Sequence, residues 1–275
     1  MRIPVGKQNV MSLGSYLKRG VKGYGEYLYP KNSPHFMILG AQKCGTTSLH
    51  DYLDAHPALS GSYPKETHYF DRDFYTGKKF DDYQKCFRGK SSLLHYEATP
   101  SYLYTRSVPE LLSHNLSDLR FIVLLRNPVQ RAYSAWNHYR AIFDDKNRHE
   151  AMKNRLRLEG NLLYEKFYSG RSVFPSFREC VDIELELIEA NADVFEPSLL
   201  RRGLYLEQLQ NYWKYFDKNR FMIIGFQALS NDTENTLAKI EAFLDIPSYQ
   251  WRDVAKRSRT GGITQSSFPM KIKFF

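Results

Sequence analysis

The residues best suited to chemistry form a glycine-containing loop near the start of the chain. Its sequence is Gly40-Ala41-Gln42-Lys43-Cys44-Gly45-Thr46-Thr47. The glycine spacing is that of a phosphate-binding loop, but Thr46 stands where the nucleotide-hydrolysing version has its lysine, and the lysine here is Lys43. Backbone N–H groups of such a loop, with the positive end of a helix starting near Thr46, can bind phosphate without a metal. The loop therefore predicts an anion site whose terminal group differs from a γ-phosphate.

A second candidate anion site follows an apolar run in the middle of the chain. Arg126-Asn127-Pro128 comes directly after this run, and Ser134 lies eight residues beyond Arg126. Arginine forms planar, bidentate hydrogen bonds with phosphate, and Ser134 would lie two turns into a helix that starts at Pro128. Either residue alone is commonly a surface residue or a cap. Their joint placement after a buried strand favours a second phosphate site.

Three short apolar runs would position these residues. Residues 36–39, 121–125 and 221–226 lack polar alternation, and a segment with helical spacing of apolar residues follows each run. Such strands, separated by helices, indicate an α/β fold of three layers, with a central parallel sheet flanked by helices. Ligands of these sheets bind at the carboxyl ends of the strands, where both candidate sites fall. Asn231 and Asp232 are candidate N-cap residues for the last helix.

The composition fits one large domain that binds an anion. The 275 residues, of which 42% are hydrophobic, can bury a full core. We expect residues 1–33 to form an N-terminal extension and residues 34–275 to form a single domain. The formal charge of +9 is interpreted as spread over the chain, without the long run of like charges typical of a tail that binds nucleic acid. It suits a nucleotide with phosphates at two positions or an acidic glycan, while a basic surface without a ligand is the alternative.

Other protein classes lack their signatures in this sequence. The three cysteines are widely spaced and form no Cys-x-x-Cys pair, so neither a disulfide framework nor a zinc site is expected. The eight histidines are dispersed, and no metal is expected. No apolar stretch reaches the about 18 residues of a transmembrane helix, and the first 33 residues contain no signal-peptide core. These patterns predict a cytoplasmic protein without a membrane or nucleic-acid partner.

The glycine loop, continued by Ser48 and Leu49, resembles the 5'-phosphosulfate-binding loop of sulfotransferases that use 3'-phosphoadenosine-5'-phosphosulfate (PAPS), particularly the heparan sulfate branch. The segment from Arg126 to Ser134 is similar to the 3'-phosphate motif of that family. Residues 202–205 resemble its Gly-x-Tyr helix, and residues 256–262 resemble its late loop over the 3'-phosphate. The resemblance implies a P-loop-like fold, PAPS as donor, 3'-phosphoadenosine-5'-phosphate (PAP) as product, and no metal. It implies the following donor-binding residues: Gly40, Gln42, Lys43, Cys44, Gly45, Thr46, Thr47, Ser48, Arg126, Ser134, Tyr205, Arg259, Thr260 and Gly261.

Residues 64–71, Pro-Lys-Glu-Thr-His-Tyr-Phe-Asp, resemble the Glu-x-His-Phe-Phe element of the heparan sulfate branch. The resemblance implies that Glu66 is the catalytic base, that His68 tunes it or hydrogen-bonds the acceptor, and that Lys43 stabilises the departing nucleotide. His68 and His95 are reserve candidates, because the small-molecule branch uses a histidine base. Ala98 departs from the family where several glycan-modifying members carry a lysine. Residues 144–173 are expected to form helix and loop at the rim, as acceptor contacts or a lid.

Three functions stay open at this point. The first is direct in-line transfer of a sulfuryl group from PAPS to a hydroxyl or amine. The second is a P-loop kinase, which would require magnesium and a lysine directly after Gly45, where Thr46 stands. The third is a nucleotide-binding protein without catalysis. For the first function, the branch resemblance and the basic charge favour a glycan acceptor, whereas the short chain and Ala98 favour a small secondary metabolite.

Overall fold

The computed structural model of the protein describes residues 33–88, 92–156, 161–192 and 196–251. The chain divides into two units, Met1–Lys31 and Asn32–Phe275. All described residues belong to the second unit.

A five-stranded sheet forms the centre of this unit. Its strands are β1 (Phe36–Gly40), β2 (Leu59–Gly61), β3 (Leu94–Glu97), β4 (Arg120–Leu125) and β5 (Phe221–Gly225). The spatial order is β2-β3-β1-β4-β5, and every neighbouring pair is parallel. All five residues of β1 and four of the six in β4 are buried, as expected for strands covered on both faces. The predicted parallel sheet is confirmed, with β2 and β3 added to the three strands that the sequence indicated.

Helices connect and cover the strands. In the described ranges they are α1 (Thr46–Leu53), α2 (Phe80–Gln84), α3 (Val108–Asn115), α4 (Pro128–Phe143), α5 (Lys146–Leu156), α6 (Leu162–Tyr168), α7 (Phe177–Glu189), α8 (Tyr205–Tyr212), α9 (Phe226–Asn231) and α10 (Thr233–Leu244), with short 3-10 turns at Asp73–Thr76, Arg201–Gly203 and Lys218–Arg220. The predicted starts of α1 and α4 are confirmed. Helix α4 is capped by Asn127 Oδ1, which accepts hydrogen bonds from the N–H groups of Val129 and Gln130.

Two local predictions need correction. The third strand ends at Gly225, and Phe226 begins the short helix α9, which the sequence analysis did not predict. Asp232 is the N-cap residue of α10, but its side chain accepts no backbone N–H there. Its carboxylate instead accepts a hydrogen bond from Asn235 Nδ2 at 2.8 Å, so a side-chain partner replaces the predicted cap bond. The described part of the segment 144–173 contains the helices α5 and α6.

The buried apolar side chains form two clusters. The larger one surrounds the sheet, whereas the smaller one joins α4 to α6 and α7. Helix α4 supplies Ala132, Trp136 and Tyr139 to the smaller cluster. This packing holds the helix that follows β4 in a fixed orientation, which determines where its first polar residues point.

The positive charge is concentrated outside the described residues. Fourteen of the 39 Lys and Arg residues lie there, most of them in residues 1–32 and 252–275, but only four of the 30 Asp and Glu residues do. The described residues therefore contain 25 basic and 26 acidic residues. The interpretation of an evenly spread charge is wrong. Any positive field within the described residues must come from particular side chains.

A buried carboxylate ties α7 to the segment at residues 196–203. Glu184 is fully buried and accepts hydrogen bonds from Ser198 Oγ at 2.7 Å and from the backbone N–H groups of residues 199–201 at 2.6, 2.9 and 3.1 Å. These amides lie at the start of the turn Arg201–Gly203, where N–H groups lack partners within the turn. The carboxylate thus satisfies four donors that would otherwise be buried without an acceptor.

Replacing this carboxylate by an amide tests the contact. Glu184→Gln keeps the shape but turns an NH₂ group toward N–H donors, and each buried donor left unpaired costs about 1–3 kcal/mol. We expect the free energy of unfolding to fall by about 2–4 kcal/mol, measured by urea denaturation. Glu186→Gln, on the exposed side of the same helix, should change it by less than about 0.5 kcal/mol. Equal values for the two variants would contradict this role of Glu184.

Candidate active site

A cavity of about 430 Å³ lies where several strands end. Residues that follow β1, β3, β4 and β5 line it, which is the edge at which parallel α/β sheets bind ligands. Ten of the residues predicted to bind the donor or to act in catalysis line this one cavity: Gln42, Lys43, Gly45, Thr46, Thr47, Ser48, Glu66, His68, Arg126 and Ser134. The two predicted anion sites therefore belong to a single site.

The loop after β1 and the first turn of α1 line the cavity. Gly45 is the N-cap residue of α1 with φ of 92°, a left-handed conformation that favours glycine, and a Cβ atom there would lie 3.2 Å from the Phe226 ring. No side chain caps this helix start. The N–H groups of its first turn, together with the positive end of the helix dipole, are thus available to an anion.

Two cations meet beside this loop. The Nη1 atom of Arg126 lies 3.5 Å from the carbonyl oxygen of Lys43, and its guanidinium lies 4.5 Å from the centre of the Phe226 ring. The buried Nε of Arg126 has no hydrogen-bond partner among the described residues. Burial, followed by repulsion from Arg126 and Arg148, lowers the pKa of Lys43. Within the described ranges no salt bridge pairs Lys43 or Arg126 with a carboxylate, so this corner is complementary to an anion.

Helix α4 adds a polar stripe to the cavity wall. Ser134, His138 and Ile142 all line the cavity because residues four apart share one face of a helix. Burial, with repulsion from Lys43, lowers the pKa of His138 to about 4, so its imidazole is neutral at neutral pH. The sequence analysis did not single out His138. Its spacing of four residues from Ser134 is the signal that could have found it.

The opposite wall is a row of acid and imidazole groups. His68 Nδ1 lies 3.0 Å from Asp71 Oδ2, and His68 Nε2 lies 3.4 Å from Glu66 Oε2. Ser101 Oγ donates to Asp71, and Lys65 Nζ donates to Glu66 Oε1 at 3.1 Å. The imidazole of His68 is therefore held between two carboxylates. The backbone of His68 has φ of 53°, which is unusual for a residue other than glycine.

This row sets the charge of both candidate proton carriers. Burial raises the pKa of Glu66, but hydrogen bonds and attraction from His68 and Lys65 outweigh it and lower the pKa to about 2. Burial lowers the pKa of His68, but its hydrogen bonds with Asp71 and Glu66 outweigh that effect and raise it. Glu66 is thus ionised at neutral pH and sits beside an imidazole that can carry a proton.

A third carboxylate in the cavity comes from a distant part of the chain. Glu196 Oε1 accepts hydrogen bonds from Tyr139 OH at 2.5 Å and from Gln42 Nε2 at 3.3 Å, and Glu196 Oε2 pairs with the buried Arg202. This network fixes the side chain of Gln42 in the phosphate loop. Sequence reasoning missed Glu196, because 154 residues separate it from Gln42 and no local pattern connects them.

Three predicted donor-binding residues are not among those that line the cavity. Gly40 lies behind the loop, where an added Cβ would lie 2.9 Å from the Pro100 carbonyl oxygen. Cys44 is fully buried, with Sγ 3.7 Å from Tyr205 OH, and Tyr205 OH donates to the Arg126 carbonyl oxygen at 2.9 Å. These residues support the loop and Arg126 from behind. Arg259, Thr260 and Gly261 lie outside the described residues.

Two further predictions concern the acceptor wall. His95, a reserve candidate for the base, is buried in β3, with its ring 6.1 Å from His35 and 6.2 Å from Phe87, and it does not line the cavity. Ala98 is also buried, and its carbonyl oxygen accepts a hydrogen bond from Lys65 Nζ at 3.3 Å. A lysine ammonium therefore does lie near Ala98. It belongs to Lys65 and also donates a hydrogen bond to Glu66.

Two absences hold for the part of the chain that the structure describes. In that part, His, Cys, Asp and Glu side chains form no group of three or more that could hold a metal ion. Its helices include none that is long and apolar enough to span a bilayer.

Several known sulfotransferases are similar to this chain in sequence or fold, among them two curated proteins and one solved structure. The chain is 26% identical over 281 residues to the membrane-associated sulfotransferase kil1 of Dictyostelium discoideum, covering 82% of this chain and 59% of that protein. It is 26% identical over 215 residues to heparan sulfate glucosamine 3-O-sulfotransferase 5 of Homo sapiens, covering 78% and 54%. A sulfotransferase structure from Alicyclobacillus acidocaldarius matches with a TM-score of 0.59 and 24% identity, covering 82% of this chain and 89% of that one, which shows the shared fold.

The chain spans only about half to three fifths of the length of these two curated relatives. The first of these relatives is named as membrane-associated. The cytoplasmic location expected from the sequence stays a prediction. Residues 33–260 match the family of sulfotransferase domains, and this range includes β1 to β5 and every residue that lines the cavity. This chain belongs to the sulfotransferase family.

Proposed function

We propose that this sulfotransferase takes a sulfuryl group from PAPS and transfers it directly to a hydroxyl or amine of its acceptor. The observation that carries the proposal is that Lys43 and Arg126, at one cavity corner beside the start of α1, form no salt bridge with a carboxylate among the residues that the structure describes. A donor with phosphates at two positions supplies the negative charge that this corner lacks. The chemistry of these groups fits such a donor.

Each end of the donor has suitable partners. Residues 42–48, at the start of α1, suit the 5'-phosphosulfate, because N–H groups and Lys43 converge there. Arg126 and Ser134 suit the 3'-phosphate, since a guanidinium binds phosphate through two N–H groups and a hydroxyl can donate a third hydrogen bond. Thr46 also lines the cavity, at the place where a P-loop kinase needs its lysine. The donor proposal is therefore favoured over the kinase alternative.

Transfer requires one bond to form and one to break. The acceptor oxygen or nitrogen forms a bond to sulfur while the bond between sulfur and the bridging phosphate oxygen breaks. The electron pair of the broken bond stays on that oxygen, which becomes part of the 5'-phosphate of PAP. Lys43 lies where it can neutralise this charge, and the acceptor is released as a sulfate ester or sulfamate.

The acceptor proton passes to Glu66 in this proposal. A carboxylate with a pKa of about 2 is a weak base, but in a loose transition state the acceptor loses its proton late, when bond formation to sulfur has made it acidic. His68 Nε2 lies 3.4 Å from Glu66 and can share the proton, and Asp71 holds the other side of the imidazole. The row therefore gives the proton a route away from the reacting atoms.

The acceptor enters between this row and α4. Ile142 from α4 and Met152 from α5 line that part of the cavity and suit an apolar portion of a small molecule or a sugar ring. Met152 lies in the segment that the sequence analysis assigned to acceptor contacts. Both a glycan and a small molecule therefore remain within the proposal, with the hydroxyl or amine directed toward Glu66.

Donor binding is tested by thermal unfolding. PAP should raise the melting temperature, because a ligand that binds only the folded state stabilises it, and ADP, which lacks the 3'-phosphate, should raise it less. Arg126→Leu should weaken PAP binding by about tenfold or more and remove the preference over ADP. Arg140→Leu, which removes an exposed arginine of α4 that lies over the Trp136 ring, should leave PAP binding unchanged. A larger response to ATP with magnesium than to PAP would overturn the donor assignment.

The base assignment is tested by removing one charge. Glu66→Gln should lower turnover by about 10²–10⁴-fold while PAP affinity stays within about twofold, because the change affects proton transfer and not the phosphate contacts. Turnover is measured as PAP release from PAPS with a phenol, an aliphatic alcohol, an amine and a heparan sulfate oligosaccharide as acceptors. Glu234→Gln, on an exposed position of α10, is the matched control. Normal turnover of Glu66→Gln would remove Glu66 from the mechanism.

A further inference from the structure

Another carboxylate, outside the cavity, is joined through Thr67 to the loop that carries Glu66, His68 and Asp71. Glu97 ends β3, is fully buried and lines no part of the cavity. Its oxygens accept hydrogen bonds from Tyr83 OH at 2.5 Å, Thr99 Oγ1 at 2.9 Å and Thr67 Oγ1 at 3.2 Å. All of these donors are neutral hydroxyls. Burial raises the pKa of Glu97 to about 7, with these hydrogen bonds opposing a further rise.

An ionised Glu97 determines the direction of every hydrogen bond around it. A carboxylate only accepts, so Thr67 and Thr99 must point their hydroxyl hydrogens at Glu97. Because the Thr67 hydrogen is used in this way, the contact of 3.1 Å between Thr67 Oγ1 and Tyr102 OH requires Tyr102 to be the donor. The oxygen of each of these three hydroxyls is then left as an acceptor.

These three oxygens accept hydrogen bonds from backbone N–H groups of the loop that carries Glu66, His68 and Asp71. Thr99 Oγ1 accepts from Thr67 N at 3.1 Å, and Thr67 Oγ1 accepts from Tyr69 N at 3.4 Å. Tyr102 OH accepts from Phe70 N at 3.1 Å. Through three hydroxyls, Glu97 thereby fixes the amides of Thr67, Tyr69 and Phe70. These three residues lie between Glu66 and Asp71 in the chain.

This arrangement explains how the loop keeps an unfavourable shape. His68 has φ of 53°, and the amides on both sides of it, those of Thr67 and Tyr69, are held by the hydroxyls that Glu97 orients. A backbone conformation of this kind persists only where its surroundings constrain it strongly. The constraint comes from the side of the loop on which Glu97 lies. The side chains of Glu66, His68 and Asp71 face the cavity.

We propose that Glu97 is a positioning residue for sulfuryl transfer, which holds the loop of residues 66–71 in its working shape through Thr67, Thr99 and Tyr102 without touching donor or acceptor. The inference rests on the proposed roles of Glu66 and His68. Burial of a carboxylate costs free energy. In return, the Glu97 carboxylate sets the direction of the surrounding hydrogen bonds, because no neutral side chain of the same shape can accept from all of these hydroxyls at once.

The test compares two variants that break this network with a control that does not. Glu97→Gln places an NH₂ group where only acceptors fit, and Tyr102→Phe removes the hydroxyl that holds Phe70 N. Tyr212→Phe is the matched control, because Tyr212 is equally buried in the same core and its hydroxyl donates to the Tyr102 carbonyl oxygen at 3.0 Å, away from the loop amides. Measurements are made at about pH 8.5, where Glu97 is ionised.

Turnover and donor affinity should separate in the two network variants. We expect PAP release from PAPS, with the acceptor panel named above, to fall by about tenfold or more in Glu97→Gln and Tyr102→Phe, because small displacements of reacting groups are costly. PAP affinity should stay within about twofold. Tyr212→Phe should lose melting temperature but keep its turnover. Equal loss of turnover in Tyr212→Phe and Tyr102→Phe, or wild-type turnover in both network variants, would overturn the inference.

Amide hydrogen exchange supplies a measurement that needs no acceptor. The amides of Thr67, Tyr69 and Phe70 should exchange faster in Glu97→Gln, and that of Phe70 in Tyr102→Phe, but not in Tyr212→Phe. Unchanged exchange in Glu97→Gln would overturn the inference even if turnover fell. Failure of the base assignment is distinguishable, since normal turnover of Glu66→Gln would leave this result intact. If Glu97→Gln does not fold, Tyr102→Phe and Thr67→Val decide the question.

Discussion

Two half-buried cations that form no salt bridge with a carboxylate among the described residues set the charge of one corner of this cavity. Lys43 and Arg126 follow the neighbouring strands β1 and β4, and the sheet brings them together at its carboxyl edge. Like charges in a cavity of low dielectric constant repel each other until an anion binds. Burial and then repulsion from Arg126 lower the pKa of Lys43, whereas attraction from Glu66 acts in the opposite direction. An anion bound at this corner would raise the pKa of Lys43 and so favour its charged form.

The acids of the cavity are, in contrast, already paired. Glu66 and Asp71 both contact the imidazole of His68, and Glu196 contacts the buried Arg202. A paired carboxylate repels an incoming polyanion less than an unpaired one, so the three carboxylates are compatible with the donor proposed above. The same contacts orient the proton-carrying groups before any ligand binds. In the proposed function, Lys43 and Arg126 face the donor and the paired acids face the acceptor.

Local patterns in the sequence predicted the parts of the structure that depend on neighbours in the chain. Apolar runs predicted β1, β4 and β5, and cap and proline signals predicted the starts of α1 and α4. Strands β2 and β3, with three and four residues, are too short to show a pattern and form because the sheet pairs them. Glu196 reaches Gln42 only through tertiary packing, whereas His138 carried a local signal in its helical spacing from Ser134. The charge was misread because its sum hides its position along the chain.

In the proposed function, one nucleotide with phosphates at two positions contacts both Lys43 and Arg126. A crystal structure of the protein with PAP tests this most directly. We expect a single PAP molecule with its 5'-phosphate against residues 42–48 and Lys43, and with its 3'-phosphate on Arg126 and Ser134. A PAP molecule that contacts only one of the two cations, or that binds away from this cavity, would contradict the claim.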